Sequence, residues 1–211
     1  MRADRPAALT AAQLEMLGTI LHAGAIKASS ALARWIQKPA IISVDSVAQI
    51  PLAEATGILG DNDEPICFCA SQLTGRLTGQ LILAFDKASG LTLADLLMDQ
   101  TPGTASEWDE MATSAALETA NIVGCTYLNV LSKSLDDSTD DQSAEILPSS
   151  FRFSSDYAES LIQFALIGQI TDSPGVLMAS AQFRIDGAPV DWTLLLVPDA
   201  ESMTTLCEIL E

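Results

Sequence analysis

Basic side chains are scarce in this chain: 10 lysines and arginines stand against 28 aspartates and glutamates, a formal net charge of −18 over 211 residues. Phosphate backbones are held by clustered Lys and Arg that release counterions, so this balance excludes non-specific nucleic-acid binding and disfavours an anionic membrane surface. Aromatic residues make up only 5%, so the core must be aliphatic. Histidine occurs once, at His22, which leaves no histidine cluster to hold a metal. No stretch approaches the roughly 18 apolar residues of a membrane span. No apolar run comes after Met1-Arg2-Ala3-Asp4-Arg5-Pro6 as it does in a secretory leader. These absences predict a cytoplasmic protein with neither nucleic acid nor membrane as partner.

What is present forms a core. Hydrophobic residues make up 48% and charged ones 18%, a balance that suits a compact domain rather than a disordered tail. Such a chain needs no disulfide framework, so Cys67, Cys69, Cys125 and Cys207 are expected as free, mostly buried thiols. In Ile66-Cys67-Phe68-Cys69-Ala70 a strand puts both thiols on one face. A metal site there needs a second cysteine pair or a histidine cluster, so core packing is the expectation.

The chain reads as one domain over 1–211, built twice, with half-repeats at 1–100 and 101–211. A helical pattern runs from about Thr10, a plausible N-cap, to Gln37, and closes before Pro39. A second runs from about Ser106 to Leu135, with Ser106 as cap and Asp109 and Glu110 in the first turn, where the helix dipole favours carboxylates. It dissolves into the acidic run Asp136 to Gln142, read as a solvated loop. After each helix the elements come in the same order. The first half offers Ile41 to Val44, a short segment around Leu52 to Glu54, strands near Ile66 to Leu73 and Leu77 to Phe85 around a turn at Thr74-Gly75, and a helix near Leu91 to Leu97. The second offers Ala144 to Leu147, a segment around Tyr157 to Leu161, strands near Val176 to Ile185 and Trp192 to Val197 around Asp186-Gly187, and a helix near Glu201 to Leu210. Short turns imply antiparallel hairpins, and their sheet must cover its apolar face with helices. The fold class expected is α+β, with a pseudo-two-fold axis and two long helices over an antiparallel sheet.

On the second long helix, about 100° per residue places Leu117, Ala120, Val123, Gly124, Tyr127, Leu131 and Leu135 on one broad core side. Ser114, Glu118 and Asn121 fall on another line, an arc of about 60° near the solvent side, with Cys125 next along it. A carboxylate and a carboxamide one turn apart on a rigid exposed face can act together on a docked partner. By spacing alone they are equally ordinary surface residues.

The stretch from Ser114 to Asn129 resembles the signature of the CheC-type chemotaxis phosphatases (the CheC, CheX and FliY-like proteins): Asp or Ser, three residues, Glu, two residues, Asn, then a downstream proline. Ser114, Glu118 and Asn121 fit it. Pro148 is the matching proline, although the interval is several residues longer than usual. Leu73-Thr74-Gly75-Arg76-Leu77-Thr78-Gly79-Gln80-Leu81-Ile82-Leu83-Ala84-Phe85 resembles the family's first-half hairpin, and Leu194 to Asp199 its second-half counterpart. The resemblance covers nearly the whole chain and implies the same doubled fold. Laying one half over the other puts Glu15 under Ser114, Thr19 under Glu118 and His22 under Asn121, with Asp45 about where a first-half proline belongs. Two-site relatives carry Glu and Asn in that first helix, so the first site, Thr19 and His22, reads as degenerate and His22 as a bystander.

The activity that the resemblance implies is hydrolysis of the phosphoaspartate on a CheY-type response regulator. An acyl phosphate is already activated, so the chain needs only to place a water in line and to stabilise charge. Asn121, with one acceptor and two donors, orients that water without repelling the phosphoryl group. Glu118 is implied to pair with the regulator's active-site lysine. Ser114 supports the stripe and Pro148 fixes a turn near the helix end. The chain needs no cofactor of its own, and Mg is expected on the partner regulator. Competing readings keep the fold and drop the chemistry: an adaptor or structural relative that binds a regulator, flagellar switch components or a receptor deamidase of the CheD type. The sheet edges leave a homodimer open.

Overall fold

The first long helix begins where its sequence can satisfy its own end. In the computed structural model, which describes residues 8–51, 54, 57, 59, 65–134, 145–157, 160, 176–185 and 188–210, α1 spans Ala11–Ile36. Thr10 caps it reciprocally: the Thr10 hydroxyl accepts from the Gln13 N–H at 3.3 Å, and the Gln13 side chain accepts from the Thr10 N–H at 2.8 Å. Gln37 leaves the helix in the left-handed region, φ 56°, two residues before Pro39.

From there the chain builds β1 (Ala40–Ile50), β2 (Ile66–Gly75), β3 (Gly79–Asp86), α2 (Lys87–Leu97), α3 (Glu110–Ser134), β4 (Ile146–Pro148), β5 (Arg152–Asp156), β6 (Val176–Ile185), β7 (Ala188–Pro198) and α4 (Ala200–Ile209). The strands form one antiparallel sheet in the order β1-β6-β7-β3-β2-β4, with β5 also on β2. Exchanging the halves reverses this order onto itself: β3 with β7, β2 with β6, β1 with β4 and β5. The pseudo-axis therefore lies between β3 and β7, paired from Gly79↔Pro198 to Ala84↔Thr193. Each half lends its first strand to the other: β1 pairs β6, while β4 and β5 pair β2.

The correspondence extends to the helices. Gln13, Leu17, Leu21, Gly24, Ala25, Ala28 and Leu32 are the buried positions of α1, and at a constant offset they match Ala112, Ala116, Ala120, Val123, Gly124, Tyr127 and Leu131 on α3. Their capping residues, Thr10 and Asp109, keep the same offset. Both short helices start from an aspartate after a central strand: Asp86 accepts from the Ser89 N–H at 2.7 Å and Asp199 from the Ser202 N–H at 2.8 Å. Both long helices pack on one face of the sheet over a core that includes Leu17, Leu32, Cys67, Cys69, Leu81, Leu83, Leu131 and Leu196. Ile66, Phe68, Ala70, Ile82 and Leu195 are buried on its other face.

Several boundaries differ from the sequence reading. α3 starts at Glu110 rather than near Ser106, and its first turn is capped by Asp109, whose carboxylate accepts from the Ala112 N–H at 2.7 Å. The preceding linker is already committed. Asp95, with no exposed surface, accepts from the N–H groups of Gly103, Thr104 and Ala105 at 2.8, 2.9 and 3.0 Å. The Trp108 ring lies against Phe85 and Phe153, centroids 5.9 and 4.6 Å apart. The first hairpin turns at Arg76–Thr78, so β3 begins at Gly79 rather than Leu77. β1 and β7 are longer than expected, and β5 was not foreseen because Arg-Phe-Ser-Ser-Asp shows no apolar alternation and joins through its backbone as an outer strand. Cys67 and Cys69 are fully buried in the main core, whereas Cys125 and Cys207 are only half-buried. Burial pushes Cys69 up to about 12 and raises Cys67 as well, so both are packed thiols. The acidic run at 136–142, most of the segments at 52–54 and 157–161, and the turn at 186–187 lie outside the described residues.

Gly79 has φ +131°, and a Cβ there lies 2.2 Å from the Val197 carbonyl oxygen, in the central ladder. Gly79→Ala is expected to cost about 2–4 kcal/mol by strain and backbone collision together. Urea unfolding that shows no loss for this variant contradicts the β3–β7 register.

Candidate functional site

α3 is held from behind. Ala116, Ala120, Val123, Gly124, Tyr127 and Leu131 are buried, with Thr119 beside them, its hydroxyl donating to the Ala115 carbonyl at 2.9 Å. Leu117, placed on the core side by the sequence reading, is only half-buried, and Leu135 lies outside the described residues. Two glycines admit close neighbours here. A Cβ on Gly24 of α1 meets the Tyr127 ring at 2.8 Å, and one on Gly124 meets Phe151 at 2.6 Å. The helix is thus fixed in rotation by contacts on α1, the sheet and the chain after β4.

Ser114, Glu118 and Asn121 all face outward and are exposed, and Cys125 is half-buried below them. Met111, which the sequence reading passed over, continues the line one turn earlier and is 66% exposed. Its signal was spacing: three residues before Ser114 and seven before Glu118, it falls on the same arc of about 80°. Among the described residues the ion pairs are Lys38–Asp99 and Lys87–Glu107, so Glu118 has no cation there to neutralise it. The Cys125 thiol donates to Asn121 Oδ1 at 3.5 Å. Burial first, and then the Glu118 charge, raise the Cys125 pKa above the ordinary thiol value.

Pro148 ends β4, opposite Leu73 of β2, rather than forming a turn near the helix end. It stands at a non-hydrogen-bonded pair, so its missing N–H costs β2 no bond: the Ser149 N–H still donates to the Gln72 carbonyl at 2.8 Å, and regular pairing then breaks and resumes at Arg152. Ser149 bridges the break: its hydroxyl accepts from the Gln72 N–H at 3.0 Å, and its carbonyl accepts from the Ser71 hydroxyl at 2.7 Å. Pro148 therefore starts the segment that carries Phe151 onto Gly124, next to Cys125. Asp45 is not its counterpart. The β1 register slips between Val44 and Ser46, so Asp45 is the bulged residue and corresponds to the break after Pro148.

On α1 the matching line is Glu15, Thr19, His22 and Ile26, all exposed, Ile26 by 60%. The Thr19 hydroxyl donates to the Glu15 carbonyl at 3.1 Å, within its own helix. Among the described residues no carboxylate pairs with His22. The line thus carries neither a carboxylate at the Glu118 position nor a carboxamide at the Asn121 position. No group of three or more metal-ligating side chains occurs among the described residues, and no helix there is long and apolar enough to cross a membrane.

A doubled antiparallel sheet under two long helices is a fold that other solved structures share. The structure matches Thermotoga maritima FliY with a TM-score of 0.77 at 20% identity, over 96% of this chain and 97% of that one. It matches the FliM middle domain from H. pylori at 0.71 and 13%, over 95% and 99%, and a chain of the H. pylori FliG–FliM complex at 0.70 and 14%, over 92% and 98%. No family model matches the sequence. The chain has the CheC-like α+β fold of FliY and the FliM middle domain, as its motifs implied.

The Glu118 charge disfavours the Cys125 thiolate, so removing that charge must move the thiol pKa down. In Glu118→Gln, iodoacetamide alkylation of Cys125, measured by mass spectrometry at fixed pH, is expected to be faster than in the wild type. An unchanged rate contradicts the proximity of the two side chains.

Proposed function

We propose that the chain is a phosphatase for the phosphoaspartate of a CheY-type response regulator, acting through the single stripe on α3. The observation that carries this reading is an exposed carboxylate with no cation among the described residues, one turn from an exposed carboxamide, on a helix whose rotation is fixed from behind. The resemblance of Ser114, Glu118, Asn121 and Pro148 to the CheC-type signature supports it, as does a fold shared with FliY.

The chemistry rests on what each side chain can offer. Glu118 docks against the regulator's active-site lysine, since a carboxylate facing a phosphoryl group is repulsive unless a cation lies between them. Asn121 orients the attacking water behind phosphorus and carries no charge to oppose the transferring oxygens. Met111 adds an apolar contact at the end of the docking line, and Ser114 keeps that line free of bulk. The phosphoaspartate, lysine and Mg belong to the regulator, so the stripe is half of a composite site. The first-half line, with Thr19 and His22, carries no part of the reaction.

A second reading is favoured by the FliM structures in complex with FliG and with SpeE, which share this fold at TM-scores of 0.70 and 0.71. On that reading the chain is an adaptor that binds a regulator, a CheD-type deamidase or flagellar switch components without catalysis.

The decay of a phosphorylated CheY-type regulator, with and without the protein, separates the two. Asn121→Ala is expected to lower the accelerated rate by about 100-fold with KM little changed, and Glu118→Lys to raise KM by about tenfold through like-charge repulsion. Wild-type rates in both variants overturn the site. Binding without any acceleration by the wild type moves the chain to the adaptor class.

A further inference from the structure

We propose that Cys125 is a positioning residue for Asn121: its thiol holds the carboxamide oxygen and thereby turns the N–H edge of Asn121 outward. The inference rests on the reading of the α3 stripe as the reactive site, and it adds a residue to which that reading gives no part.

Asn121 is exposed, and an exposed amide on a helix face is free to present either its acceptor or its donors. Here Sγ of Cys125, one turn further along α3, lies 3.5 Å from Oδ1 of Asn121. An S–H is a weak donor, and of the two ends of the amide only the oxygen accepts. One lone pair of Oδ1 is thus engaged within the helix, and the other stays available to a water. The two N–H donors are directed away from Cys125, where the oxygens of a docked phosphoryl group can accept from them. One orientation of one side chain then serves both the water and the transferring group.

Two further observations support the assignment. Donation requires a protonated thiol, and both the burial of Cys125 and the negative charge of Glu118 favour S–H over thiolate. The helix backbone that carries Cys125 is packed on its core side, where Gly124 lies under the Phe151 ring. On α1 the corresponding residue is Ile26, which has no donor to offer His22. The device is confined to the half that keeps the carboxamide.

The test uses Cys125→Ala and Cys125→Ser in the full chain, with two readouts. Side-chain ¹⁵N relaxation of the Asn121 amide reports its ordering without any substrate, and single-turnover decay of a phosphorylated CheY-type regulator reports chemistry. The alanine variant is expected to lower the Asn121 order parameter and to reduce kcat about fivefold at unchanged KM and Tm, in keeping with loss of one weak hydrogen bond. The serine variant, which keeps a donor, is expected to restore both. Asn121 order unchanged in the alanine variant overturns the positioning role even if the wild type is an active phosphatase. So does an equal loss in both variants accompanied by a fall in Tm. Order lost in alanine and recovered in serine, in a wild type that dephosphorylates nothing, upholds the positioning and overturns the phosphatase reading instead.

Discussion

The central antiparallel ladder between β3 and β7 is the constraint on which the rest depends. It joins the halves at their most apolar strands, Leu81 to Ala84 against Thr193 to Leu196, and it fixes the pseudo-two-fold axis. With that axis set, each half can complete its hairpin only by accepting the first strand of the other: β1 closes on β6, and β4 and β5 close on β2. Neither half has a finished sheet of its own. Both long helices must then lie on the same face, side by side, and the absence of a side chain at Gly24 lets the Tyr127 ring come close between them. The outward direction of the α3 stripe is a consequence of these inward contacts.

The two halves show which parts of such a repeat are constrained. Buried positions on α1 and α3 correspond one for one, and so do the caps of all four described helices in pairs: Thr10 with Asp109, Asp86 with Asp199. The outward lines do not correspond in chemistry. Glu118 and Asn121 on α3 have Thr19 and His22 as their counterparts on α1, and Ile26 stands where Cys125 stands. Packing density tolerates little change inside, since each buried side chain touches several others. An exposed line is limited only by what docks there, so one half is able to carry a reactive pair while the other carries none.

The sequence was most legible where a single element satisfies its own physics. Thr10 with Gln13 closes a capping box within four residues, and Pro39 bars the helix from continuing past Gln37, so α1 was readable to within a residue. Alternating thiols in Ile66-Cys67-Phe68-Cys69 gave a buried strand for the same local reason. Legibility failed where the deciding partner is remote. Ser106 is a sound cap in isolation, but Asp95 holds the linker before it and Trp108 is drawn into an aromatic cluster with Phe85 and Phe153, so the helix waits for Asp109. β5 has no apolar alternation because its place comes from backbone pairing with β2. Asp45 resembled a counterpart of Pro148 by count, and only the register slip after Val44 shows it to be a bulge.

Periodicity and spacing by themselves determined the doubled order of elements, the α+β class and the line that joins Ser114, Glu118 and Asn121, because a helix of known pitch needs no tertiary information to say which residues share a face. The tertiary structure alone decided that Glu118 finds no cation among the described residues and that Cys125 reaches Asn121. Those facts depend on how α3 is rotated against α1 and the sheet, and that rotation is set by packing between residues far apart in the chain: Gly24 with Tyr127, Gly124 with Phe151 and Leu81.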